Sequence, residues 1–427
     1  MTRINPFVLF VLTISLAPPI ARGQVILPPV FGTAAGVYID ADATLHQRQT
    51  DTASDLASQR LRAKALNQPP KAQDLTYVSL PRLFEAVRSL SEQKKEMPEN
   101  LRYLSGITQI RYVFVYPQEH DLIIAGISEP FDATIKTQPQ GKATGRPVLH
   151  LDDLVTALRN RGVFGCSIDP HPDSLNRSSA VMTEYANATR AARMNALKEA
   201  MGLQQVRLFG APADSRLAFV TIAADYKLKR LVLGMDPMPI PGVGSPVDNS
   251  RAAANRFWFE VNYAPLLVSP DGEAFELRGP RLLINPGAFS TDTKGATEAS
   301  KAFAKNFSAK IPQLATMVPL FADLQNIADL SVVAALIHKD HLDRTSGVDL
   351  SWIMSASNYK TAVVATPRTA ETLVNYTNGS IVAGGVTLDA SNVVAAHNRE
   401  LDGKEALKPV KARPSSDNWT HTKTGAK

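Results

Sequence analysis

Residues 206–237, VRLFGAPADSRLAFVTIAADYKLKRLVLGMDP, constrain the fold more than any other stretch. A short apolar segment, 206–209, ends at Gly210 and Pro212. Asp214 or Ser215 then caps a helix, because either side chain accepts from the free amides of a first turn. Leu217, Val220, Ala224, Leu228 and Leu231 recur at spacings of 3, 4, 4 and 3. Such a stripe must find a partner surface. Gly234 supplies a left-handed stop and Pro237 lies just beyond it. The pattern predicts a strand and an amphipathic helix at the middle of the chain, with the rest packed around them.

Other segments follow the same logic. A strand or hairpin is expected at 37–45, helices at 52–67 and 80–91, and strands at 111–116 and 122–126 joined by a turn. Asp152 is expected to cap a helix stopped by Gly162, before a strand at 163–168 and a helix at 183–201 that ends at Gly202. An antiparallel meander opens at 256–261, with Asp271-Gly272 as a hairpin turn. Helices are expected at 297–311 and 319–339, then short strands at 361–366 and 380–386, with Gly384-Gly385 read as a turn. The fold class is α+β (mixed α/β), with amphipathic helices packed on short mixed or antiparallel sheets in two or three subdomains. The regions expected are a leader 1–23, an N-terminal α+β region 24–131, a linker 132–146, a central core 147–340, a small strand-rich region 341–402 and a disordered basic tail 403–427.

The first 23 residues have the form of a cleavable secretory signal. Arg3 precedes an apolar run at 7–16, and Ala21-Arg22-Gly23 places small residues before a cleavage point at Gln24. The run is too short for a bilayer span, which needs ~20 apolar residues, and no later stretch reads as a transmembrane helix. A secreted or periplasmic location is expected. The net charge of +6 divides unevenly. Arg3 and Arg22 belong to the leader, and the tail 403–427 carries six cations against two acids. The body 24–402 is therefore neutral, and the pI of 9.2 points to no nucleic-acid-binding face. The basic tail suits an anionic polymer or lipid headgroups. Cys166 is the only cysteine, so no internal disulfide forms, and its neighbours Val163, Phe164 and Ile168 predict burial.

Several longer strings share a source. GVYIDAD at 36–42, YVFVYPQEHDLIIAG at 112–126, GRPVLHLDDLVTALR at 145–159, GCSIDP at 165–170, FGAPADSRLAFVTIAADYKLKRLVLG at 209–234, ANRFWFEV at 254–261 and FELRGPRLLI at 275–284 occur in order. They resemble a domain-of-unknown-function family of secreted planctomycete-type bacterial proteins. The resemblance implies export and a bacterial envelope setting. It implies no assigned activity and offers no catalytic residues.

Three constellations carry chemistry. Ser357-Asn358-Tyr359-Lys360, Ser416-Asp417-Asn418 and Lys423-Thr424-Gly425 match the short strings of β-lactamases and transpeptidases. Only Ala426 and Lys427 follow the last string, and four residues separate it from the second, too few to build a strand beside a nucleophile. His338, Asp340, His341 and Asp343 are the densest set of metal-type ligands. They lack the spacing and the Glu base of H-E-x-x-H, and a polar helix end is the simpler account. Asp214, Ser215 and Asp225 are the catalytic candidates of the central unit. A nucleophilic serine needs a base and an oxyanion hole, and no G-x-S-x-G is present. Asp214 and Ser215 therefore read as caps, and Asp225–Lys229 as a solvated i,i+4 pair worth ~0.3–0.5 kcal/mol. No P-loop or dinucleotide fingerprint occurs, and no cofactor is expected. The function expected is binding of another cell-envelope component without catalysis. The second reading is a metal-dependent hydrolase using residues 338–343.

Overall fold

The computed structural model describes residues 37–39, 42–47, 75–134, 138–247, 254–287, 296–375 and 380–412. The leader 1–23, the helix expected at 52–67 and the strings at 416–418 and 423–425 lie outside the described residues.

One buried helix forms the centre, with an amphipathic helix leading into it. Glu298–Met317 and Pro319–Lys339 are joined through Val318 alone. A residue before proline is pushed from helical to extended backbone. Val318 accordingly sits at φ −121°, ψ 93°, while Pro319 opens the second helix where its missing N–H costs nothing. From Pro319 to Ile337 every residue of the second helix is buried. By length and composition this helix could cross a membrane, but its whole apolar window is buried against protein. It touches both large sheets and the helices at 151–159, 216–232 and 298–317. Phe303, Phe307 and Phe321 pack with Phe257 and Phe259 of a neighbouring strand, ring centroids 5.3–6.5 Å apart.

A helix buried on all sides must satisfy its polar side chains with protein. Asp323 receives Arg216 Nη2 at 2.5 Å. Gln325 donates to the Pro280 carbonyl at 3.1 Å and Asn326 to the Pro147 carbonyl at 2.9 Å. Ser331 donates to the Gly162 carbonyl. Asp329 accepts from the Ile110 amide (3.1 Å), Tyr263 Oη (2.7 Å) and Arg281 Nε (3.1 Å). Each partner comes from a different element, so the helix locks the layers in register.

The fold is α+β with mixed sheets. The nine-stranded sheet runs Val37–Ile39, Thr44–Gln47, Thr369–Glu371, Leu203–Phe209, Val163–Asp169, Ser380–Asp389, Ala254–Asn262, Arg281–Gly287, with Val374–Asn375 beside Ser380–Asp389. The six-stranded sheet runs Arg399–Leu401, Leu266–Val268, Ala274–Glu276, Ile107–Tyr116, Asp121–Ser128, Leu75–Ser79. The second sheet joins segments from all three regions drawn from the sequence, so the boundaries at 131, 146 and 340 do not separate sheets.

Several expectations are corrected. The helix expected at 183–201 is two, Pro172–Glu184 and Arg190–Met201, because Thr189 caps the second and Arg193 holds the carbonyls of Tyr185 and Ala186. Residues 361–366 form no strand. Gly384-Gly385 lies inside a strand, where a Cβ on Gly384 would come within 2.7 Å of Asp225 Oδ1. The strand at 254–262 pairs with 281–287 and 380–389 rather than with the 266–276 hairpin. Asp152 is not a cap. It sits inside the first turn of Leu151–Arg159 and accepts from Tyr359 Oη and the Ala362 amide.

The start of the tail, expected to be disordered, is docked. Asp402 accepts from the amides of Ala406 and Leu407, and Leu407 is buried among Tyr77, Phe114, Ile123 and Leu267. Tyr77 and Tyr116 donate to the carbonyls of Val410 and Lys411 at 3.1 and 2.5 Å, and Lys411 pairs with Glu273.

Replacing Asp329 by Ala leaves Arg281, Tyr263 and the Ile110 amide without their acceptor. Breaking a buried charge pair costs about 3–5 kcal/mol. Urea unfolding of Asp329→Ala should show a loss of that order, and an unchanged midpoint would remove Asp329 from the account.

Candidate functional site

The strands Ala254–Asn262 and Ser380–Asp389 form the long parallel pair of the large sheet, with Ala254 opposite Ile381 and Glu260 opposite Thr387. Their carboxyl ends therefore lie side by side. Both chains leave the large sheet there and enter the small one, where Leu266–Val268 and Arg399–Leu401 pair again in parallel. Open sheets place ligands in the crevice beyond the carboxyl ends of parallel strands. A cleft of about 530 Å³ occupies that position, within the size range of small-molecule sites, about 300–1,000 Å³.

The strand ends contribute Glu260, Asn262, Thr387 and Asp389, and the connections contribute Tyr263, Asn392, His397 and Asn398. Val261 and Val393 complete the lining, which among the described residues contains no Lys, Arg, Ser or Cys. Glu260 is fixed by donation from Trp258 Nε1 and, at 2.6 Å, from Asn285 Nδ2. Asp389 Oδ1 accepts from the Ser391 amide at 2.9 Å and turns the chain. The 390–398 connection is held by Arg399, which donates to the Val394 carbonyl and clasps Asp340 with two bonds of 2.8 Å. Tyr263 is held from below by Asp329. The walls are thus set by packing and hydrogen bonds.

The residues singled out in the sequence have other places. Asp214 is exposed, and its carbonyl accepts from the Val364 amide at 2.7 Å. Ser215 caps the Arg216–Val232 helix, accepting from the Ala218 amide at 3.2 Å and donating to the Pro212 carbonyl. Asp340 is held by Arg399, while His338 and His341 are exposed at a helix end. Among the described residues, no three His, Cys, Asp or Glu side chains come together as a metal site.

Asp225 departs most from expectation. Its pair with Lys229 (3.0 Å) is not solvated, the two side chains being 0% and 1% exposed. Lys229 also donates to the Ile168 carbonyl at 2.7 Å, and Asp225 Oδ1 has no donor among the described residues. The stripe on this helix predicts one buried face. Nearly all of its residues are buried, because strands cover one side and the 319–339 helix another. Cys166 is 2% exposed, and burial pushes its thiol up, away from reactivity.

A second buried set surrounds Arg216, which binds Asp153 and Asp323. Burial raises both carboxyls, Asp153 to about 7. His150 packs edge-on against Tyr103, and burial, with Arg216 and Arg102, holds it well below its usual value. These groups are at most 7% exposed and closed to a ligand.

Residues 166–245 match the model of a family described as a protein of unknown function, DUF1598. No curated protein and no solved structure matches the chain. The matched segment contains Cys166, Ser215 and the Asp225–Lys229 pair, and the cleft lies outside it.

Burial pulls the Asp225 carboxyl up from 3.8 to about 6, against the opposing pull of Lys229. A carboxyl raised in the fold binds its proton more tightly than in the unfolded chain. Its contribution is present below about pH 4 and is lost as pH rises through about 6. The stability of the protein minus that of Asp225→Asn should therefore fall across that window in urea titrations. A difference that rose instead would mean that Lys229 keeps the carboxylate ionised.

Proposed function

We propose that this chain is an exported binding protein of the bacterial cell envelope, without catalytic activity, and that it takes a neutral glycan segment in the cleft at the carboxyl ends of 254–262 and 380–389. Export rests on the leader-like residues 1–23, and the envelope setting on the family resemblance. The cleft lining carries the ligand class. Amides and hydroxyls offer donors and acceptors side by side, and carboxylates add acceptors, which matches the vicinal hydroxyls of a sugar. With two acids and no cation in the lining, an anionic ligand is repelled.

The absence of catalysis is supported by what the cleft contains. Among the described residues no Ser or Cys nucleophile lines it. Glycoside hydrolysis uses a pair of carboxyls, and with both Glu260 oxygens engaged by Trp258 and Asn285 the described lining offers Asp389 no free carboxyl partner. The basic residues beyond 412 would add an electrostatic contact with anionic polymer or lipid headgroups.

Calorimetry with maltotriose and the N-acetylglucosamine trimer tests this function. At least one should bind, with no release of reducing ends. Asp389→Ala and Asn262→Ala should each weaken it by roughly 3- to 10-fold, the worth of one hydrogen bond. Hydrolysis would overturn the non-enzymatic part. Tighter binding of spermidine than of either sugar would replace the ligand class.

A further inference from the structure

A second cavity, of about 410 Å³, shares no residue with the cleft. One wall is the end of the Leu80–Glu92 helix and the turn after it, and the other is the loop 357–360. Val87, Leu90 and Met97 make an apolar floor continuous with the main core. Lys95 and Lys360 stand at the rim with Ser91, Ser357 and Asn358, and among the described residues no acid lines the cavity. Neither ammonium has an ion-pair partner among the described residues, and both lysines are exposed.

The loop is built rather than slack. The Arg159 guanidinium donates to the carbonyls of Ile353 (2.8 Å), Met354 (3.1 Å), Ser355 (3.1 Å) and Tyr359 (2.7 Å). Tyr359 Oη is tied to Asp152 at 2.7 Å. With its backbone wrapped around one cation, the loop needs little backbone ordering on binding, and the lysine side chains still have to order. Carbonyls at the end of the 80–92 helix, which would repel an anion, are taken by the amides of Gln93, Lys94 and Lys95.

Ser357-Asn358-Tyr359-Lys360 acquires a role here unlike the one its string suggests. It lies in a turn, not on a helix, and Ser357 Oγ shares its hydrogen bond with Ser355 Oγ at 2.7 Å. The string makes a polar, basic rim over an apolar floor.

We infer that this cavity binds a single-chain amphiphile, its anionic carboxylate or phosphate head at Lys95 and Lys360 and its apolar tail on Val87, Leu90 and Met97. Two ammonium groups with no acid select the sign of the head. The floor supplies the apolar area that a free anion cannot use. The occupant is a lipid-type molecule rather than an inorganic ion.

The test uses the full-length protein at low salt, with octanoate as probe and octanol, acetate and inorganic phosphate as comparators. Octanoate should bind, and added salt should weaken it. Lys95→Gln/Lys360→Gln should weaken it at least about twofold, the lower combined size of two exposed ion pairs. Both positions are exposed, so the double variant should melt with the parent protein. Octanol should bind less tightly than octanoate, and acetate and phosphate should not compete. No octanoate binding, unchanged binding in the double variant, octanol binding as tight as octanoate, or phosphate binding as tight as octanoate would each overturn the inference.

Discussion

One carboxylate organises more of this molecule than any other group. Asp329 is 0% exposed in the middle of a helix that is buried from Pro319 to Ile337. An ionised carboxylate in such a place is costly unless donors surround it. Burial raises its carboxyl, with Arg281 and Tyr263 opposing. Its donors come from residues 110, 263 and 281. Those positions belong to a strand of the small sheet, the connection between the sheets and an edge strand of the large one. Asp323, nearly two turns earlier on the same helix, does the same for Arg216. The carboxylates tie these packed layers together at fixed polar points.

That arrangement positions the cleft. Tyr263 lines it and is anchored by Asp329. The opposite connection is anchored by Arg399 on Asp340, just past the end of the same helix. Both connections between the sheets are thus tied to one rigid rod, and a ligand meets polar groups already oriented. The lysine-rimmed cavity shows the same economy, since Arg159 at the end of another helix holds its loop.

Local pattern made much of the fold readable. The stripe from Leu217 to Leu231 with Ser215 before it marks a helix that is present at Arg216–Val232, and the 319–339 helix begins and ends where its proline and its polar end predict. Long-range facts were not readable. The Asp225–Lys229 spacing is identical in a solvated pair and a buried one, and only the strands stacked above it decide which. Gly384-Gly385 looks like a turn because the reasons for glycine, the close approach of the Phe257 carbonyl and Asp225 at one and of the Cys166 carbonyl at the other, lie more than 120 residues away in the chain. The cleft depends on a parallel pairing between segments that start at 254 and 380. No local period encodes that pairing, so Glu260, Asp389 and His397 carried no signal as a group. Of the strings that did stand out, 338–343 places Asp340 on Arg399 with its histidines exposed, and 357–360 lines a cavity.

Hydrogen–deuterium exchange with and without the N-acetylglucosamine trimer or maltotriose addresses the central claim most directly. A glycan seated at the strand ends should slow exchange at 389–398, the connection that forms one wall, and leave 93–97 and 357–360 unchanged. Protection elsewhere with none at 389–398 would contradict a glycan site in this cleft.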